Sequence, residues 1–281
     1  MTYRSLTVLV DQQPTDADRT RYALRVAKTM DCHLVGLAPT GELVFPPNVE
    51  FTASLPEYAQ QAWSTLQARA EQATARFAAA CRDAGRASFE FVIDRRDVAE
   101  SLLRHGHCAD LLLLSQADPR RADHRAVGSV IEQVVLANPR PTLVLPYTGR
   151  FESVGQRVLV AWDDSREAAR ALADAMPFLR RADRVDIAAW NESRDDGDAD
   201  ALRGRLDELH KWLMWHGLSA HIHLETTRVG VAEAILSRAA DLSSDLLVMG
   251  AYGHARWTER MLGGATRHLL ASMTVPVLMS H

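Results

Sequence analysis

The sequence predicts an α/β fold written twice in tandem, and three observations predict it. Asp245–His281 lies over Asp110–Pro146 at a constant offset of 135 with no gap, so that DLLLLS faces DLLVMG, Gly128 faces Gly263 and Pro141 faces Pro276. A fixed internal period of this kind marks a duplicated unit. Short apolar runs alternate with Ala- and Arg-rich helical stretches through both halves. The runs LLLL (Leu111–Leu114) and LLVM (Leu246–Met249) are apolar without interruption, as strands buried on both faces of a parallel sheet are.

Taken in order, the first half opens on a β-branched run, Ser5–Val10, that stops at Asp11. Further strands fall at His33–Ala38, Ser88–Ile93, Asp110–Ser115 and Thr142–Pro146, with helices between them. The second half repeats the plan: Arg157–Trp162 stops at Asp163, and strands follow at Arg184–Trp190, Ala220–Thr226, Asp245–Gly250 and Val275–Ser280. Helices at Glu57–Ala84 and Asp198–His216 end before Gly85 and Gly217, where a left-handed glycine closes a helix. Right-handed crossovers then place helices on both faces of a parallel sheet. At 281 residues the chain has room for two such domains, expected at 1–147 and 154–281, with Thr148–Gly155 as linker. Pro39–Pro56 and Asn191–Gly197 read as solvated loops after the second strand of each half.

A net charge of −4 and a pI near 6.3 give no cationic field to gather phosphodiesters, so nucleic acid is not an expected partner. No apolar run approaches the roughly 18 residues of a membrane span, and no export signal is visible, which together predict a protein of the cytoplasm that does not enter membranes. Cys32, Cys81 and Cys108 are odd in number, far apart and without a CxxC pair, so disulfides are not expected. His105, His107 and Cys108 end a helix with splayed side chains. His221 and His223 share a strand face but show no carboxylate or thiol partner in sequence, so no metal site is assigned to either group. The G-x4-G-K-[ST], G-x-G-x-x-G and G-x-S-x-G signatures are absent, and no catalytic residue is identifiable.

The chemistry gathers after the fourth strand of the second half. There Met249, Gly250, Ala251, Tyr252 and Gly253 precede nine residues and then Gly263, Gly264, Ala265 and Thr266, which open a helix. Glycines at a strand end admit close approach to backbone amides, and a helix N-terminus is an anion site. In an open parallel sheet ligands collect beyond the carboxyl ends of the strands, at the switch in strand order. Phosphate is the natural guest; tight-turn geometry is the competing reading of the same glycines.

GAYG, nine residues, then GG resembles the G-x2-G-x9-G-[ST] signature of the universal stress protein family. The strand-end Asp163 with Asp164 and Ser165, and the segment Gly230–Glu233, extend the likeness. The resemblance implies two tandem flavodoxin-like domains of the adenine nucleotide α-hydrolase type, each with a five-stranded parallel sheet of order 3-2-1-4-5. It further implies ATP or a related adenine nucleotide, with Mg²⁺ accompanying it, in the second domain. Asp163 and Trp190 would lie at the adenine end. Met249, Gly250, Gly253 and Gly263 would lie at the ribose and phosphates, beside the helix start Gly264–Thr266. Trp190 replaces a smaller aliphatic residue and either stacks on a purine or fills the pocket. Gly264 replaces the usual Ser or Thr, for which the Thr266 hydroxyl is a possible substitute.

The first half departs further, with Ser115 and Asp118 at the first two glycine positions, although Gly128 and Ser129 keep the last pair. Asp118 opposes a phosphate while Arg120, Arg121 and Arg125 attract it, so this half is expected to be mainly structural or to bind something different. Arg256 and Arg260 of the second half are read as solvated. The functional expectation is a nucleotide-binding stress or signalling module with slow or no hydrolysis. A stress-response scaffold acting through protein partners is the alternative, and an α-hydrolase-like transferase a third. The last strands, Thr142–Pro146 and Val275–Ser280, are expected to pair as an internal pseudo-dimer, with a homodimer also possible.

Overall fold

The computed structural model describes residues 2–42, 55–191, 196–227, 229–253 and 264–281. In the first half β1 (Ser5–Leu9), β2 (His33–Pro39), β3 (Phe89–Asp94), β4 (Leu111–Ser115) and β5 (Thr142–Leu145) alternate with α1 (Asp16–Met30), α2 (Leu55–Asp83), α3 (Val98–Gly106) and α4 (His124–Ala137). In the second, β6 (Arg157–Ala161), β7 (Arg184–Asn191), β8 (His221–Thr226), β9 (Leu246–Gly250) and β10 (Val277–Ser280) alternate with α5 (Arg166–Leu179), α6 (Asp196–Trp215), α7 (Val231–Asp241) and α8 (Gly264–Ser272). Every strand expected from the sequence is present, with ends shifted by no more than two residues. Gly85 (φ +66°) and Gly217 (φ +73°) follow α2 and α6 in the left-handed conformation expected of them.

The strands form one ten-stranded sheet of order β3-β2-β1-β4-β5-β10-β9-β6-β7-β8, so each half has the order 3-2-1-4-5. Pairing is parallel within each half, and the halves meet where β10 runs antiparallel to β5, Leu278 opposite Leu143. The internal pairing of the two last strands is thus present. Side chains at the seam reinforce it. The Gln116 amide donates to the Leu270 carbonyl (2.8 Å), Arg267 forks onto the Glu132 carboxylate (3.1 Å) and the Tyr3 hydroxyl donates to the Asp174 carbonyl.

Alternation along the strands divides the core in two. One face, with Val8, Leu111, Val158 and Val248, is covered by α1, α2, α5 and α6 through side chains such as Tyr22, Phe77, Leu172 and Leu213. The other, with Leu112, Val144, Leu159 and Leu247, is covered by α3, α4, α7 and α8 through Leu102, Ile131, Ile235 and Leu269. The runs LLLL and LLVM of β4 and β9 are apolar without interruption because both faces of the sheet are covered there. No helix among the described residues is long and apolar enough to cross a membrane.

Candidate functional site

In each half the first strand lies between the second and the fourth, so connections leave to opposite faces and open a crevice at the carboxyl ends. In the second half this crevice lies where β6 and β9 end. Beyond β6 the turn is tightly organised. The Asp163 Oδ1 accepts from the Ser165 amide (3.0 Å) and hydroxyl (2.5 Å), Asp164 takes φ +59°, and its carboxylate accepts from Arg205 (2.6 Å). The Ser165 hydroxyl in turn accepts from the Ala168 amide (3.1 Å) and caps α5. Asp163 is solvent-exposed, on the rim of the crevice.

Beyond β9, Met249 and Ala251 are buried and Tyr252 takes φ +56°. Gly250 sits where a Cβ would fall 2.5 Å from the Ala168 nitrogen and 2.6 Å from the Glu167 carbonyl carbon, so its lack of a side chain lets α5 seat against the end of β9. At Gly253 a Cβ would meet only side-chain atoms, Glu167 Oε2 at 3.1 Å and Ser165 Oγ at 3.4 Å. The two glycines therefore do different work: Gly250 is demanded by packing, Gly253 faces the crevice.

Helix α8 begins at Gly264, with Ala265 exposed. Thr266 is buried, and its hydroxyl accepts from the Tyr252 amide (3.2 Å), so it fastens the glycine loop to the helix instead of standing outward in place of the missing Ser or Thr. Trp190, half-buried at the end of β7, packs on the α7–α8 face of the core, and its indole N–H is buried without a partner among the described residues. Asp163, Met249, Gly250, Gly253, Gly264, Ala265 and Thr266 are thus gathered on two strand ends and one helix start, with Trp190 on the neighbouring strand. Gly263, Arg256 and Arg260 lie outside the described residues.

Sequence reasoning missed Glu167. It is buried in the first turn of α5 with its carboxylate against Gly253. Burial pushes its carboxyl up, but the hydrogen bond from its own backbone N–H, the Arg166 guanidinium (2.9 Å) and nearby His281 outweigh that and hold it below the usual range. The available signal was local: the second residue after a Ser cap is where a helix dipole favours a carboxylate.

The first half builds the corresponding crevice and fills it. Arg19, buried in α1, donates to the Leu9 carbonyl (2.7 Å), the Ser115 hydroxyl (3.1 Å) and Asp16 (3.1 Å), and pairs with Asp11 (2.9 Å). Its guanidinium spans the ends of β1 and β4. Gly128 and Ser129 do not open a helix as their register suggests: α4 starts at His124, which puts them in its interior with their amides inside the helical ladder. The conflicting loop charges cancel locally, Arg120 forking onto Asp118 (2.8 Å) and Arg121 onto Asp123 (2.9 Å). The Arg120 pairing holds the Asp118 carboxyl down to about 2.

His223 has the carboxylate partner that the sequence did not reveal. Its Nε2 lies 2.8 Å from buried Asp186 of β7 and its Nδ1 accepts from Arg238 (2.9 Å), while Arg184 forks onto the same carboxylate (2.6 Å). A similar arrangement joins His105 to Asp94 (3.1 Å) with Arg96 (2.7 Å). These are ion-pair clusters, and no group of three metal-ligating side chains occurs among the described residues. Burial pushes the Asp186 carboxyl up, but the bonds from Arg184 and His223 prevail and hold it below its ordinary value. A depressed carboxylate contributes stability above its unfolded pKa, about 3.9, and loses that contribution as pH falls through the folded value. Urea midpoints are therefore expected to fall less steeply in Asp186→Asn than in the parent as pH drops from about 5 to about 3, with a cost of about 1–3 kcal/mol at neutral pH. Parallel curves would remove Asp186 from this role.

A crevice at the switch in strand order of a 3-2-1-4-5 sheet, bordered by a strand-end aspartate and a glycine loop, defines a doubly wound α/β module. Residues 155–281 match the family model described as the universal stress protein family, so the second half of the chain is similar to that family. A universal stress protein of Synechocystis is 30% identical over 154 residues, covering 54% of this chain and 50% of the relative, so the match spans about half the length of that curated protein. The crystal structure of a universal stress protein from Archaeoglobus fulgidus superposes over 99% of this chain and 96% of its own with a TM-score of 0.78 at 17% identity. A functionally unknown protein from Pseudomonas aeruginosa superposes over 99% of this chain and 92% of its own with a TM-score of 0.61 at 16% identity. At these identities the superpositions speak for the fold.

Proposed function

We propose that this chain is a cytoplasmic stress-response module of two domains, 1–147 and 154–281, in which the second binds an adenine nucleotide, ATP with Mg²⁺. The observation that carries the proposal is the asymmetry between the crevices. The first is spanned by the buried Arg19, whereas in the second Gly253 and the start of α8 at Gly264 lie beside the strand ends, and the neighbouring Arg166, paired with Glu167, is exposed rather than buried across them. The first turn of α8 supplies outward backbone N–H groups that suit an anion. Asp163 on the rim suits the polar edge of a base or ribose, and Trp190 offers a flat wall. The buried Glu167 carboxylate opposes a phosphate at Gly253, a cost that a divalent cation carried with the nucleotide offsets.

Calorimetric titration of nucleotide-stripped protein with MgATP tests this. Saturable binding is expected, weakened by at least about tenfold in Gly253→Glu, which places a second carboxylate in the crevice, and by about as much in Asp163→Ala. Absence of heat from folded protein, with ATP and AMP alike, would leave a second reading: a scaffold that acts through protein partners. The commitment of the Thr266 hydroxyl to Tyr252 and the position of Glu167 favour that second reading.

A further inference from the structure

A cavity of about 640 Å³ lies at the junction of the halves, lined by α1, the end of β5 and the linker. Its size falls within the roughly 300–1,000 Å³ of small-molecule sites. The linker wall is built rather than loose. The Arg25 guanidinium donates to the Phe151 carbonyl, the Phe151 ring meets Tyr22 edge-on at 6.3 Å, and Gly149 (φ +115°) leaves room that a Cβ would close, 2.9 Å from the Phe151 ring. Leu145 adds an aliphatic surface.

Two polar features of this cavity are unexplained by the fold. Tyr22, 2% exposed, lines the cavity, and its hydroxyl is buried out of solvent without a hydrogen-bond partner among the described residues, a condition that costs about 1–3 kcal/mol. Arg150, exposed in the linker, makes no ion pair or hydrogen bond among the described residues, and Arg25 spends only part of its fork on Phe151. Arg21 is already paired with Asp18, and Glu152 adds a negative charge at the wall, so the surplus is small. A polyanion is not suited.

We propose that the cavity binds a small organic anion with a flat apolar body, an aromatic carboxylate or sulfonate being the simplest case. The acid group engages Arg150 and the remaining donors of Arg25, and the ring lies against Phe151 and Leu145. Such a ligand touches α1 of the first half and the linker to the second at once, so its occupancy stiffens the junction. The site is independent of nucleotide in the second half.

The test uses the full chain and 8-anilinonaphthalene-1-sulfonate, followed by fluorescence. One saturable site is expected, displaced by benzoate and weakened by about tenfold or more in both Arg150→Ala and Arg150→Glu, with no change in the heat of MgATP titration. Arg150 is exposed and unpaired, so both variants keep the fold, which their thermal midpoints check. Trp215, 81% exposed at the end of α6, is the competing apolar surface for such a dye. Loss of the signal in Trp215→Ala, affinity unchanged in both Arg150 variants, or no saturable binding by the parent would each overturn the proposal.

Discussion

Replacing Arg19 by alanine is expected to destabilise the protein by about 3–5 kcal/mol, the cost of removing one partner from a buried ionic cluster. Arg19 is 2% exposed and alone spans Leu9, Asp11, Asp16 and Ser115, joining the ends of β1 and β4 to α1. Its loss leaves the Asp16 carboxylate buried without its guanidinium. Asp16 already has its pKa raised, chiefly by burial, with Arg19 the largest opposing influence. In the variant that carboxyl rises further and takes up a proton as the pH is lowered, relieving the buried charge. A group whose folded pKa is raised gains in relative stability as pH falls toward and below that value. The destabilisation measured by urea is accordingly expected to shrink from about pH 7 to about pH 5. Arg19→Lys restores the charge but not the fork and recovers only part of the loss. A cost under about 1 kcal/mol at neutral pH would mean that the cluster relaxes freely and that Arg19 is not what closes the first crevice.

Gly250→Val is expected to cost about 3 kcal/mol or more, and Gly250→Ala about 1–3 kcal/mol, because the added atoms meet backbone rather than a movable side-chain end. The Ala168 nitrogen and Glu167 carbonyl carbon stand 2.5 and 2.6 Å from the Cβ position, so α5 must lift from β9 to admit it. The measurement is the urea midpoint of each variant beside that of Gly253→Ala, whose Cβ meets only the ends of Glu167 and Ser165 and which should lie within about 1 kcal/mol of the parent. Equal midpoints for the two alanine variants would refute the division of labour between the glycines. The division also matters for function: a Gly250 variant that no longer bound nucleotide would report a displaced α5 as readily as a lost ligand contact. Gly253 is the position at which binding and folding separate.

The strands were legible because each is a short apolar run, and the central ones, LLLL and LLVM, carry the mark of double burial in their own composition. The internal repeat was legible because Gly128, Gly263, Pro141 and Pro276 stay in one register. Register did not carry function with it. Gly128 faces Gly263 in that register, yet it lies inside α4, which begins at His124, and not at the helix start that the sequence pattern suggests. Helix starts depend on caps and tertiary packing as much as on the residues inside them.

Charge partnerships across the sheet were not legible at all. Asp186 and His223 are far apart in sequence and meet only because β7 and β8 pair, with Asp186 opposite His221. Arg19 reads on paper as one arginine of a polar helix, and nothing in the local pattern tells a buried guanidinium from a solvated one. Glu167 is of the same kind.

By itself the sequence determined the α/β class, the duplication, the sites of the strands and the family likeness, since these rest on period, composition and local turn chemistry. The tertiary structure alone decided which crevice is closed by its own arginine, which glycine is required by packing, and that the Thr266 hydroxyl is spent on Tyr252. Those outcomes depend on distances between segments remote in the chain, and a single sequence does not contain the distances.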